Sequence, residues 1–129
     1  PAPAQVMATA AGSILVVEDN AYNRRLLEET LTAWGHQVTL AEDGRQALLM
    51  AQQQRFAMIL LDIRMPGIDG IEVARQAAAK HPSLRIMFIT GFAAVALAAH
   101  DKAPAGAKVL SKPIHLREIV TEVERMIAA

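Results

Sequence analysis

The chain has 129 residues, of which 53% are hydrophobic but only 4% aromatic, and it contains no cysteine. One core built from aliphatic side chains is therefore expected, and disulfides and thiol catalysis are excluded. Thirteen basic and thirteen acidic residues cancel to a formal net charge of zero, which argues against a nucleic-acid or membrane-surface binder. No apolar run approaches the ~20 residues of a membrane span.

Residues 1–12, "PAPAQVMATAAG", are small, uncharged and rich in Pro and Ala. They lack the basic start and long apolar stretch of a signal peptide. A disordered N-terminal segment over 1–12 and one folded domain over 13–129 are expected. "SILVV" (13–17) is a short continuous apolar run, which suits a strand buried on both faces. Leu27, Leu31 and Trp34 then fall at i, i+4 and i+7 of a helix, with Gly35 placed to end it. "QVTLA" (37–41) reads as a second strand, and Asp43 can cap a helix carrying Ala47, Leu48 and Ala51. "AMILL" (57–61) is the third strand, and it runs straight into Asp62. Asp69, with Glu72 three residues later, has capping-box spacing for a third helix. "RIMFIT" (85–90) is a fourth strand. The Ala-rich stretch behind it predicts a helix over 93–100, which Pro104 and Gly106 keep from extending. "AKVLS" (107–111) is a weaker fifth strand, and Leu116, Ile119, Val120, Val123 and Ile127 form the apolar stripe of a last helix. Five strands alternating with five helical segments predict an α/β fold, a parallel sheet with helices on both faces.

Ligands of such sheets bind outside the carboxyl ends of the strands, where strand order reverses. The residues just past each strand are therefore informative. Glu18 and Asp19 come after the first, Asp62 after the third, Thr90 closes the fourth, and Lys112 and Pro113 come after the fifth. Three acids held together repel one another unless protons or a cation sit among them. A hard divalent ion with oxygen ligands, most simply Mg²⁺, suits such a set, completed by water and substrate phosphate. Lys112 adds a flexible point charge able to track a phosphoryl group. A metal-anchored carboxylate beside a lysine and a hydroxyl is a site for making an aspartyl phosphate.

Over roughly 13–128 the chain resembles the receiver domain of two-component response regulators, the CheY-like family. The resemblance rests on "EDN" with Glu18 and Asp19, "LLDIRMPGIDG" with Asp62, "FITG" with Thr90 and "SKP" with Lys112 and Pro113. It implies a five-stranded flavodoxin-like sheet of order 2-1-3-4-5. It implies that Asp62 takes phosphate from a histidine kinase or histidine phosphotransferase, while Thr90 and Lys112 bind the phosphoryl oxygens. Asp19, Asp62 and the backbone carbonyl of Arg64 would ligate Mg²⁺, with Glu18 acting through water and a cis bond between Lys112 and Pro113. Slow self-dephosphorylation, with no turnover of foreign substrates, is implied as well.

Two positions depart from the family pattern. Glu18 stands where Asp is commoner, one methylene longer. Val109 stands where many receivers carry the Tyr or Phe that turns inward when the Thr90 position moves toward phosphate. Valine is stiff at χ1 and has no ring to bury, so a switch is expected in the loop and helix near 90–106. Phe92, Val95 and Leu97, with Val109 and Ile114, form either an exposed docking face or part of the core.

"RIMFITGFAAVAL", "AKVLSKP" and "HLREIVTEVERMIAA" look like the CpdR-type single-domain regulators of alphaproteobacteria. That resemblance implies a cytoplasmic cell-cycle relay, and an adaptor role in which the unphosphorylated protein primes the ClpX unfoldase of ClpXP for protease substrates. His36, His81, His100 and His115 show no ligand-like pairing, so surface or loop positions are expected for all four. His115 opens the last helix and is a candidate partner contact. The six methionines are expected to fill gaps in the core. Two rivals remain: a Mg²⁺-dependent hydrolase passing through an aspartyl phosphate, and a scaffold that is never phosphorylated. Haloacid-dehalogenase-type enzymes place a second acid two residues after the nucleophile. That position here is Arg64, which argues against the first rival.

Overall fold

The computed structural model describes residues 13–63, 68–90, 104, 106–111 and 115–128. In chain order these form β1 (Ser13–Val17), α1 (Ala21–Ala33), β2 (Gln37–Ala41), α2 (Gly44–Gln53) and β3 (Met58–Asp62). Next come α3 (Gly70–Lys80), β4 (Arg85–Thr90), β5 (Lys108–Ser111) and α4 (Leu116–Ala128). The helix expected over 93–100 lies outside the described residues, which hold four helices beside the five strands.

All strands are parallel and lie in the order β2-β1-β3-β4-β5. Their continuous apolar sequences arise because both faces are covered. On one face Leu15, Val17, Ile59, Leu61, Ile86 and Phe88 pack with Ala47 of α2 and Val73 and Ala74 of α3. On the other, Ile14, Val16, Met58, Leu60, Met87 and Ile89 pack with Leu27 and Leu31 of α1 and Ile119, Val120 and Val123 of α4. Alternate residues of each strand thus serve two separate core layers. Met58 and Met87 are both fully buried in the second layer, as gap-filling methionines should be.

Helix boundaries are set by short polar side chains. Asn20, Asp43 and Asp69 cap α1, α2 and α3, accepting hydrogen bonds from the amides of Asn23 (2.9 Å), Gln46 (2.8 Å) and Glu72 (2.9 Å). Asp69 thus makes its half of the expected capping box. The Glu72 carboxylate turns outward instead, to Gln76 at 3.0 Å and Arg75 at 3.6 Å. Gly35 ends α1 with a φ of 92°, a conformation open to glycine at little cost.

Two strand bounds need correction. β3 covers 58–62 rather than 57–61, so Asp62 is the last residue of the strand and pairs with Ile89, and β5 covers 108–111 rather than 107–111. His36 lies in the loop between α1 and β2, one of the two positions expected for it, but it is not on the surface: only 3% of it is exposed. The turn at Gly35 directs its ring inward, where Nε2 lies 3.0 Å from Glu124 Oε1 of α4. Its buried Nδ1 has no hydrogen-bond partner among the described residues. His81 is half-buried, with Nε2 2.9 Å from the Ala51 carbonyl, and His115 is exposed at the start of α4. His100 lies outside the described residues. Among the described residues no helix is long and apolar enough to cross a membrane.

Candidate functional site

The chain crosses from β1 to β2 on one side of the sheet, and β3 then lies on the other side of β1. That reversal opens a crevice at the carboxyl ends of β1 and β3. Val17 and Leu61 are paired in register, so Glu18 and Asp62 are the next residues on adjacent strand ends. Thr90 closes β4, paired with Ser111 of β5. Topology therefore brings Glu18, Asp19, Asp62 and Thr90 to one edge of the sheet.

Their environments differ. Glu18 is 6% exposed, Asp19 is exposed, Asp62 is half-buried and Thr90 is fully buried. The Glu18 amide donates to the Ala41 carbonyl at 3.1 Å, prolonging the β1–β2 pairing by one bond. Its side chain then folds back onto its own turn, where Oε2 accepts the Asn20 amide at 3.0 Å. From the first turn of α1, Arg24 Nη1 donates to the carbonyls of Glu18 (2.9 Å) and Asp19 (3.3 Å). The acidic turn is thus tied to β2, to itself and to α1.

Behind Asp62, α3 approaches very closely. The Gly70 amide donates to the Ile63 carbonyl at 2.9 Å. A Cβ at Gly70 would collide with the Asp62 carbonyl oxygen and lie 2.9 Å from Ile63 Cα. The "IDG" beyond the strand therefore combines a cap, Asp69, with a contact that only glycine permits.

Arg64, Phe92, Lys112 and Pro113 lie outside the described residues, as do Val95, Leu97 and Ile114. Val109 is half-buried opposite Phe88 and packs against the core layer that holds α2 and α3. For this one residue of the expected docking face, the contacts are core contacts.

Among the described residues no three acids or histidines come close enough to hold a metal ion by themselves. Asp19 and Asp62 still fit Mg²⁺. They are oxygen donors on neighbouring strand ends, and this ion is usually held by one or two carboxylates with waters and substrate phosphate. One oxygen of Glu18 is already engaged by Asn20.

The family model of the response regulator receiver domain matches residues 14–124. The chain belongs to that family. It is 50% identical to the response regulator receiver protein CpdR of Brucella abortus over 116 residues, 90% of this chain and 97% of that one. Other curated relatives are longer, and the chain spans 26% of the length of one it matches at 31% identity. Among solved structures, a response regulator receiver protein of Sinorhizobium medicae superposes with a TM-score of 0.84 at 30% identity, covering 90% of this chain and 94% of that one. The receiver domain of the Pseudomonas aeruginosa sensor histidine kinase PA1611, with a magnesium ion in its active-site cleft, gives 0.78 at 32% identity, covering 90% and 97%. Receivers in this family act in two-component signalling, and the α/β fold and strand order expected from the sequence are those observed.

Sequence reasoning missed three participants. Asn20 carries the usual N-cap signal, a short polar residue directly before a helical pattern. Gly70 sits just behind the Asp69 cap, but its near-contact with Asp62 is tertiary. Arg24 left no signal, because its partners are backbone carbonyls and carry no side-chain pattern.

Proposed function

We propose that the chain is a response regulator that accepts a phosphoryl group on Asp62 from a phosphohistidine donor and thereby gates a protein–protein contact. The observation that carries this is Asp62 itself, half-buried at the end of the central strand β3 and next to the acidic turn after β1. An Asp62 carboxylate oxygen attacks phosphorus, the P–N bond of the donor breaks, and its electron pair stays on the imidazole nitrogen, which takes up a proton. Water later cleaves the acyl phosphate, returning the carboxylate and inorganic phosphate. Mg²⁺ held by Asp19, Asp62 and the Arg64 carbonyl would supply positive charge to the phosphoryl oxygens. Lys112 binds those oxygens as a point charge. Thr90, buried at the end of β4, would bind them through its hydroxyl. A response of the chain near 90–106 to that contact would convert a local charge change into a surface change without an aromatic at position 109.

The similarity to CpdR supports an adaptor output, in which the unphosphorylated form engages a ClpX-type unfoldase and phosphorylation releases it. Incubation with Mg²⁺ and a small phosphodonor is expected to add one phosphoryl mass to the wild type and none to Asp62→Asn. No gain in the wild type overturns the switch and favours a silent scaffold. Rapid, repeated release of phosphate favours a hydrolase. In a pull-down, Asp62→Ala is expected to retain ClpX under phosphorylating conditions that release the wild type; binding by neither form removes the adaptor role.

A further inference from the structure

The acidic turn carries its own cation. Arg24 Nη1 reaches the Glu18 carbonyl at 2.9 Å and the Asp19 carbonyl at 3.3 Å, while Glu18 Oε2 holds the Asn20 amide at 3.0 Å. Two consecutive peptide planes bound to one nitrogen cannot rotate independently. The Asp19–Asn20 plane in turn sets the direction in which the Asp19 side chain leaves the turn. Both partners of Nη1 are carbonyl oxygens, so this contact acts on the backbone of the turn. Its neighbour Arg25 is different: it points outward and pairs with Glu29 at 3.5 Å on the exposed side of α1.

We infer that Arg24 is a positioning residue for the metal site: by clasping the Glu18 and Asp19 carbonyls it presets the Asp19 carboxylate for a divalent cation. This role rests on the Mg²⁺-dependent site proposed for Asp19 and Asp62. Its expected sign is unusual. A positive charge beside a cation site repels the cation, so on charge alone its removal should tighten Mg²⁺ binding. If geometry dominates, removal weakens it, as loss of the groups that orient metal ligands generally does.

The test is a Mg²⁺ titration of the unphosphorylated full chain, monitored by backbone amide chemical shifts, with thermal melting of each metal-free variant as a fold control. Arg24→Ala is expected to weaken Mg²⁺ binding about tenfold. Arg24→Lys, which keeps an N–H donor and the charge, is expected to recover part of that loss, and Arg25→Ala to bind as the wild type does. Should Arg24→Ala fail to fold, Arg24→Gln, whose shorter carboxamide keeps N–H donors without the charge, is expected to bind more weakly than wild type. Equal or tighter binding by the neutral variants overturns the inference, as does a lysine variant no better than alanine. A wild type that binds no Mg²⁺ is a separate result, and it strikes the proposed function itself.

Discussion

Asn20 shows how much one side chain in the acidic turn does. It caps α1 through the Asn23 amide, and its own amide is held by Glu18. Asn20→Ala is expected to cost about 1 kcal/mol of stability, read from the urea midpoint, because the Asn23 amide then has only water. Glu18 was legible as an acid at a strand end. Its inward fold was not, because the longer side chain reaches its own turn only in this backbone geometry. Val109 was legible as a missing ring, whereas its packing against the layer around Phe88 needed the sheet register.

At the scale of elements, the junction of β3 and α3 is the tightest described point near the site. The helix begins against the backbone of Asp62 and Ile63, and backbone cannot swing aside. Gly70→Ala is therefore expected to lose about 2 kcal/mol and to slow phosphorylation of Asp62, measured by thermal melting and by the rate of mass gain. Gly44→Ala makes a useful contrast. Its Cβ would meet the Ile68 and Val73 methyl groups at 2.5 and 2.6 Å and the Ile68 carbonyl oxygen at 3.2 Å, none of them part of β3. A loss of stability is expected there too, because β-branched side chains are stiff, but with phosphorylation left near the wild-type rate. The cap at Asp69 was visible in the spacing to Glu72, because N-cap chemistry is local. The collision behind Gly70 was not visible, because it lies between a helix and a strand from different turns of the chain.

At the scale of the whole molecule, His36 and Glu124 join the α1–β2 corner to the far end of α4 across 88 residues of sequence. The ring is buried while Glu124 is partly exposed, so the two single substitutions should differ. His36→Ala, which leaves a cavity and removes the bond, is expected to cost about 2 kcal/mol, and Glu124→Ala about 1 kcal/mol. A double-mutant cycle in urea should return a coupling near 1 kcal/mol if the two side chains meet as described. Glu122, nearer the start of α4, adds a second tie between elements, with Lys108 of β5 at 3.9 Å, and pairs within α4 with Arg125 at 3.0 Å.

The sequence alone determined the layered α/β pattern, the helix caps at Asp43 and Asp69, and the order in which acids, a hydroxyl and a lysine come at the strand ends. Those features are written in near-neighbour periodicity and in the chemistry of helix ends, which act over a few residues. Tertiary structure decided that His36 turns inward, that Glu18 folds onto Asn20, that Arg24 holds the acidic turn by its carbonyls, and that Gly70 lies against Asp62. Each of these is a contact with backbone, or with an element far along the chain. No local pattern of side chains encodes a backbone atom's position; only the packed sheet and its helices bring it within reach.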